Sequence, residues 1–388
     1  MMRNNDDINF FAYRRRNSKI RVTSPCLNIN HPTSAWKMIE NSQRFLPLPT
    51  LEAGSPRLES TRIVCMSDTH GKHRQVFVPK CDLLIHSGDF TNMGEASTVQ
   101  DLGDFFRDLK NSGQVKEVIC VAGNHDILFQ PETYRSNFGL LHDSSRGKSS
   151  ILQRSDIERM KESFNESCVY LEDESHMHKE SGIHIYGSPW TPTYGNCWAF
   201  MADRSEIFSR WDEIPSSTDV LVTHGPPLGR GDKCLRNVRA GCLELLRNVQ
   251  SRVRPRLHVF GHIHEDAGCS FDGKTLYVNA SNYSIRNRAE QPCTVIDVPH
   301  DANEPAKVVL PQCSLNGEEV ILWLKSKGYE KILPFFERMD PLVCGESFFE
   351  DDLLGVDEIA RILRMNPYAK DERAELSLAL IHLQSESY

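Results

Sequence analysis

Residues 62–71 read RIVCMSDTHG, an apolar run of strand length that gives way abruptly to Asp68-Thr69-His70-Gly71. Four more stretches repeat that grammar: CDLLIHSGD at 81–89, EVICVAGNHD at 117–126, DVLVTHG at 219–225 and LHVFGHIH at 257–264. The apolar parts, Arg62 to Ser67, Cys81 to Ser87, Glu117 to Ala122, Asp219 to Thr223 and Leu257 to Phe260, read as buried strands. Between them, Val99, Leu102, Phe105, Phe106 and Leu109 share one helical face, as do Cys242, Leu245, Leu246 and Val249. Strands alternating with helices predict an α/β fold with a layered sheet. In such a sheet the loops leaving the carboxyl ends of the strands converge on one crevice, where ligands bind.

Those loops carry the chemistry. Asp68, His70, Asp89, Asn124, His224, His262 and His264 make two carboxylates, one amide and four imidazoles, without a thiolate. Mixed oxygen and nitrogen donors suit Mn, Fe, Zn, Co or Ni rather than Mg or Ca, and a structural zinc site would use sulfur. Seven side chains exceed the needs of one ion and suit two divalent or transition-metal ions sharing a bridging carboxylate. Two cations about 3.5–4 Å apart acidify a bridging water, bind phosphate oxygens and stabilise in-line displacement. Glycines beside Asp89, Asn124, His224 and His262 are expected to let the backbone turn sharply there. Single D-x-H, G-D or G-H pieces are uninformative; five in order, each closing a strand, are specific. His86, inside a strand, reads as a core or supporting histidine. His73, His142, His176, His178, His184 and His258 read as surface or packing residues.

The set D-x-H, G-D, G-N-H-D, G-H and G-H-x-H, in that order, resembles the calcineurin-like metallophosphoesterases. YGSPWTP (186–192), DVLVTHGPPLG (219–229) and RVRPRLHVFGHIHE (252–265) are similar to the metallophosphoesterase-domain-containing proteins of animals, a branch related to class III cyclic nucleotide phosphodiesterases. The resemblance covers about residues 60–300 and implies a two-sheet αββα sandwich with metals at its rim. It implies that Asp68, His70, Asp89 and His264 hold one ion and that Asp89, Asn124, His224 and His262 hold the other. His125 matches the family's general acid. Some close relatives have glycine where this chain has His262 and are impaired by it. The G-D-x-x-D-R-G motif of Ser/Thr protein phosphatases is absent, since Asp89 is followed by Phe90-Thr91-Asn92-Met93-Gly94. The activity expected is therefore hydrolysis of a small phosphate diester, a cyclic nucleotide above all. The alternative is a nucleotide-binding or scaffold protein on the same fold that turns over too slowly to matter.

The rest of the chain sets the frame. At about 150 residues per domain, 388 residues suggest two units. Hydrophobic residues at 39% and charged residues at 25% exclude a disordered or fibrous chain. No apolar run reaches the roughly 18 residues that span a bilayer, so no membrane partner is expected. Lys plus Arg at 45 against Asp plus Glu at 53 gives a net charge of −8, which opposes duplex nucleic acid as a partner. Twelve dispersed cysteines, with no signal sequence apparent, point to a reducing, cytoplasmic location.

Residues 1–59 read as an irregular N-terminal extension, 60–300 as the metallophosphoesterase domain, 301–315 as a linker and 316–388 as a small all-helical domain. That last segment weakly resembles a sterile alpha motif domain, which implies self-association or a protein partner; the other reading is a helical cap packed on the catalytic domain. Trp190, Tyr194, Trp198 and Phe200 are expected either to form an aromatic wall for a nucleobase or to pack on the sheet. Pro226, Pro227 and Leu228 should stiffen the pocket floor. Asn279, Asn282 and Arg286 follow a further strand and are candidates for phosphate contact or for turn roles.

Overall fold

The computed structural model describes residues 29–52, 59–141, 151–195, 197–283 and 291–310, together with 314–315 and 354–355. In chain order the strands are β1 (Thr50–Glu52), β2 (Ser60–Met66), β3 (Cys81–His86), β4 (Val115–Cys120), β5 (Val169–Tyr170), β6 (Glu174–Met177) and β7 (His184–Ser188). They continue as β8 (Thr191–Pro192), β9 (Met201–Ala202), β10 (Val220–Thr223), β11 (Leu257–Phe260), β12 (Gly268–Phe271), β13 (Leu276–Asn279), β14 (Thr294–Pro299) and β15 (Lys307–Leu310). One sheet has the order β1-β15-β14-β2-β3-β4-β5 and the other β12-β13-β11-β10-β7-β6. The five strands expected from the sequence are all present, as β2, β3, β4, β10 and β11.

Period-two alternation explains the layering. In β2, Ile63 and Cys65 join Leu83, Ile85, Val222, Val259 and Val278 in a core between the two sheets. Val64 and Met66 face the other way, with Leu84 and Val118, onto the helix Ala96–Asn111. That helix buries Val99, Leu102, Phe105, Phe106 and Leu109, the stripe its sequence prescribes. On the far side Tyr186, Leu221, Phe260 and Tyr277 pack under Trp211, Leu245 and Val249. Helices thus cover both outer faces of two stacked sheets, which is the αββα sandwich.

The structure corrects two domain boundaries. Residues 29–52 are not irregular: Pro32–Ile39 form a helix whose Ala35, Trp36 and Ile39 are buried against Leu228, Leu243 and Leu246. A two-turn helix carries too few apolar repeats to stand out in sequence, and its stability comes from that remote packing. Nor are residues 301–310 a linker, because β15 pairs with β14 and, through Val308–Leu310, in parallel with Thr50–Glu52. The folded unit therefore reaches back before residue 60 and forward past 300. The expected helical domain at 316–388 lies outside the described residues, apart from Leu354–Gly355, which pair with Ser314–Leu315. Arg286 and His142 also fall outside them. Among the described residues no helix is long and apolar enough to cross a membrane.

Candidate metal centre and its surroundings

β2, β3, β4, β10 and β11 end side by side, and their terminal loops bring together the seven ligand candidates and His125. Asp68, His70 and His264 form one group whose ligand atoms all lie within 4.8 Å of one another, and Asp89, His224 and His262 form a second. Asn124 joins the second group through Oδ1, 2.9 Å from His224 Nε2. His224 Nε2 is 3.3 Å from Asp89 Oδ2, and His264 Nε2 is 3.3 Å from Asp68 Oδ1. His70 Nε2 and His264 Nε2 lie 3.4 Å apart.

The backbone conformation at these positions is costly. Asp68, His70, Asp89 and His262 all have left-handed φ values, 53°, 44°, 55° and 70°. Such conformations in non-glycine residues cost on the order of 1–3 kcal/mol each and persist where function holds them. The glycines work differently from the expectation of sharp turns. Of Gly88, Gly123, Gly225 and Gly261, only Gly88 has positive φ. At Gly261 a Cβ would sit 2.1 Å from Asp68 Oδ2, and at Gly123 one would sit 2.3 Å from Asp89 Oδ1. They are needed because the carboxylates occupy the space a side chain would fill.

The surrounding hydrogen bonds fit a cation at each group. His224 Nδ1–H donates to Ser87 O at 2.9 Å, and His70 Nδ1–H donates to Thr91 O at 3.1 Å. Both bonds fix the tautomer and leave Nε2, the nitrogen free to meet a cation, facing the carboxylates. Thr91 is in turn locked by Asp126, which accepts from Thr91 N at 2.9 Å, Thr91 Oγ1 at 2.8 Å and Gly123 N at 2.8 Å. Asp126 therefore braces the loop; burial, with Asp89 nearby, pushes its carboxyl up to about 8.

Electrostatics point the same way. Burial opposes ionisation of Asp68, but His264 beside it holds the carboxyl below the usual range. Burial would likewise lower His224, yet Asp89 and Asp68 raise it to about 9. These carboxylates draw positive charge to one buried point, which a neutral pocket would not do. Desolvation, with the His224 ring opposite, lowers the half-buried His262 to about 3, so it offers a neutral ring.

His125 stands outside both groups. Its backbone N–H donates to Asp89 Oδ1 at 2.8 Å, and its Nδ1–H donates to Asn92 O at 2.5 Å, which leaves Nε2 as the nitrogen that exchanges a proton. One edge meets the His70 ring at 4.8 Å between centroids, and one face lies under Trp198 at 4.0 Å.

The four aromatic residues divide. Trp198 covers His125 and Tyr194 approaches the His262 ring at 5.1 Å, whereas Trp190 and Phe200 pack on each other at 5.8 Å. Asn279 and Asn282 serve the fold: the Asn279 amide donates to Gly231 O and Ile263 O, and Asn282 Oδ1 accepts from Ser67 N. His86 is buried, as its place inside a strand suggests, and His258, read as a surface or packing residue, is a packing one. The sequence reading passed over Tyr283, whose ring lies 5.1 Å from that of His70 and 5.8 Å from that of His264, with Lys72 Nζ 5.0 Å from it. Its signal was an aromatic residue a few positions past the end of β13. The Ser87, Thr91 and Asn92 carbonyls leave no sequence signal.

A stacked αββα sandwich with paired carboxylate–imidazole clusters where its strands end defines a class, the dinuclear metal-dependent hydrolases. The sequence profile of the calcineurin-like phosphoesterases matches residues 61–266. The chain is 39% identical over 306 residues to the human metallophosphoesterase domain-containing protein 1, covering 75% of this chain and 89% of that protein. The mouse protein of that name is 39% identical over 288 residues, 71% of this chain and 84% of its own length. The Caenorhabditis elegans UPF0046 protein C25E10.12 is 34% identical over 279 residues, 69% and 92% respectively. The chain belongs to the calcineurin-like phosphoesterase family, whose members bind dinuclear metals.

Proposed function

We propose that this phosphoesterase is a phosphodiesterase for small phosphate diesters, with cyclic nucleotides as its preferred class. The observation that carries the reading is the pair of adjoining carboxylate–imidazole groups with His125 beside them, its Nε2 unengaged among the described residues. Asp68, His70 and His264 would hold one ion, and Asn124, His224 and His262 the other, with Asp89 shared between them. The donor set suits Mn, Fe, Zn or Co. When bound, such ions supply an acidified water and neutralise charge on the phosphoryl oxygens.

The chain's own residues do the rest. His125, its Nδ1–H held by Asn92 O, presents Nε2–H to the departing alkoxide as general acid. Trp198 over one face and His70 against one edge keep that ring from turning away. Tyr194 and Trp198 offer flat apolar surface beside the phosphoryl position, which supports a substrate carrying a nucleobase.

The test is hydrolysis of an aryl phosphodiester and of cyclic AMP by metal-stripped protein with Mn²⁺ restored, alongside Asp89→Ala. Turnover that requires metal and disappears in the variant is expected. Wild-type protein that binds metal and AMP without turning over either diester would instead mark a nucleotide-binding or scaffold protein. His125→Ala adds a finer check. General acids contribute about 10²–10⁴-fold, so cyclic AMP hydrolysis should fall within that range while an aryl ester with a good leaving group falls far less. Equal losses on both substrates would remove the acid role.

A further inference from the structure

We infer that Tyr194 is a substrate-binding residue whose phenolic hydroxyl donates a hydrogen bond to a phosphoryl oxygen of the bound ester. The inference rests on the phosphoesterase reading of the site and adds a contact that neither the motif residues nor the metal groups provide.

The argument begins with hydrogen-bond accounting at one atom. Asn124 Nδ2–H donates to Tyr194 Oη at 2.7 Å. An amide N–H can only donate, so this bond uses a lone pair of the phenol and directs the phenol's own proton elsewhere. Among the described residues no acceptor for that proton is found. The residue is 43% exposed overall and its ring lies 5.1 Å from the His262 ring, which places it at the rim of the second ligand group. The other end of the Asn124 side chain, Oδ1, faces His224 Nε2 at 2.9 Å. The hydroxyl therefore sits one amide group away from the second metal-ligand group, where an ester bound to that group would present its oxygens.

The loop that carries Tyr194 is anchored so that the hydroxyl needs little rearrangement. β8 and β9 clamp its two ends in parallel register, Thr191 to Met201 and Pro192 to Ala202. Thr193 N donates to Ala202 O at 2.9 Å, and Ala199 N donates to the backbone oxygen of Asn124 at 3.0 Å. Asn124 is thus gripped twice by this loop, by its side chain through Tyr194 and by its main chain through Ala199. Between those grips Trp198 lies on His125. A donor held in place before the substrate arrives, beside two carboxylates that would repel a phosphate on their own, is what anion recognition at this rim requires. A neutral phenol also serves better than a lysine here, because it does not compete with metal ions for Asp89.

The test compares wild type with Tyr194→Phe, which keeps the ring and removes only the hydroxyl. Metal content after reconstitution with Mn²⁺ is measured by atomic spectroscopy, and affinity for inorganic phosphate by calorimetry on the same samples. Undiminished metal content with phosphate affinity weakened about 10-fold or more is expected, the size of a hydrogen bond to a charged group. A fall in metal content would overturn the inference, making Tyr194 a positioning residue for Asn124. Unchanged phosphate affinity, or wild-type protein that binds no phosphate, would overturn it as well. Because phosphate binding is read without turnover, a wild type that binds phosphate but hydrolyses no diester would defeat the proposed activity and leave this comparison intact.

Discussion

The His224 ring donates from Nδ1 to the carbonyl oxygen of Ser87 at 2.9 Å, and this single bond aims Nε2 at Asp89 Oδ2, 3.3 Å away. Ser87 immediately follows β3 and His224 immediately follows β10, strands of different sheets, so the bond ties the sandwich together at the edge where the ligand candidates gather. A cation held here would link metal affinity to fold stability, because a cation bound only by the folded state shifts the unfolding equilibrium toward it.

Adding Mn²⁺ at about 100 times its dissociation constant should stabilise the metal-stripped protein by about 2.7 kcal/mol for each site filled. In Asp89→Ala, which strips the carboxylate from the second group, most of that gain should vanish. Thermal unfolding of both proteins across a Mn²⁺ titration measures it. An equal rise in the two midpoints would show that Asp89 holds no metal.

Gly261 lies between β11 and His262, and its missing side chain leaves room for Asp68 and for Ser67, whose Oγ would also be 2.1 Å from an added Cβ. Gly261→Ala must push one of them aside. Overpacking of this kind costs about 1–3 kcal/mol, and displacing Asp68 should reduce metal content at the first group as well. Atomic spectroscopy and urea unfolding report the two effects. A variant with full metal content and unchanged stability would mean that the strand end yields freely.

Trp36 belongs to the short helix that the sequence pattern did not disclose. It is buried, and a Cβ built on Gly229 would fall 1.7 Å from its ring, so loop 226–229 and the indole are fitted face to face. Arg239 lies over the indole as well, 4.6 Å from its centroid. Trp36→Ala should cost about 3 kcal/mol, the lower end for removing a buried tryptophan. Urea unfolding of the full chain measures it, and a loss below about 1 kcal/mol would deny the helix a structural role.

What could be read in advance follows from how local each signal is. Ile63, Cys65, Leu83, Ile85, Val220 and Val222 sit in continuous apolar runs because their strands are covered on both faces. Since Asp68, Asp89, Asn124, His224 and His262 each close such a run, finding the strands also located the site. Trp36 could not be placed this way, because its partners Leu228, Leu243 and Leu246 are some 200 residues distant in the chain. The left-handed φ of Asp68, His70, Asp89 and His262 could not be read in advance either, since Asp and His tolerate that conformation better than most residues but adopt it only in a small minority of positions. Tyr194 and Trp198 were visible only as aromatic content. Their places at Asn124 and His125 come from the β8–β9 clamp, whose two-residue strands are too short to show a period.

His258 gives the clearest pH dependence. It lies in β11, fully buried between the rings of Phe260 and Tyr277. Thr223 Oγ1 spends its one proton on Gly225 O at 2.8 Å, so it accepts from His258 Nε2–H at 2.9 Å and the ring is the neutral Nε2–H tautomer. Among the described residues the buried Nδ1 finds no partner. Burial lowers the ring to about 3, against 6.5 in an unfolded chain. Between those values the unfolded state binds the additional proton, so stability falls as the pH is lowered. The slope is about 1.4 kcal/mol per pH unit for this one group. His258→Gln stays neutral throughout and retains an N–H for Thr223. Urea unfolding of wild type and variant from pH 7.5 to pH 4.5 should therefore show the wild type losing stability more steeply below about 6.5. His86, buried and lowered to about 3, adds the same trend to both proteins and cancels in the comparison. Parallel pH profiles for the two proteins would mean that the folded state admits a proton at His258, and with it water or an acceptor to the buried Nδ1.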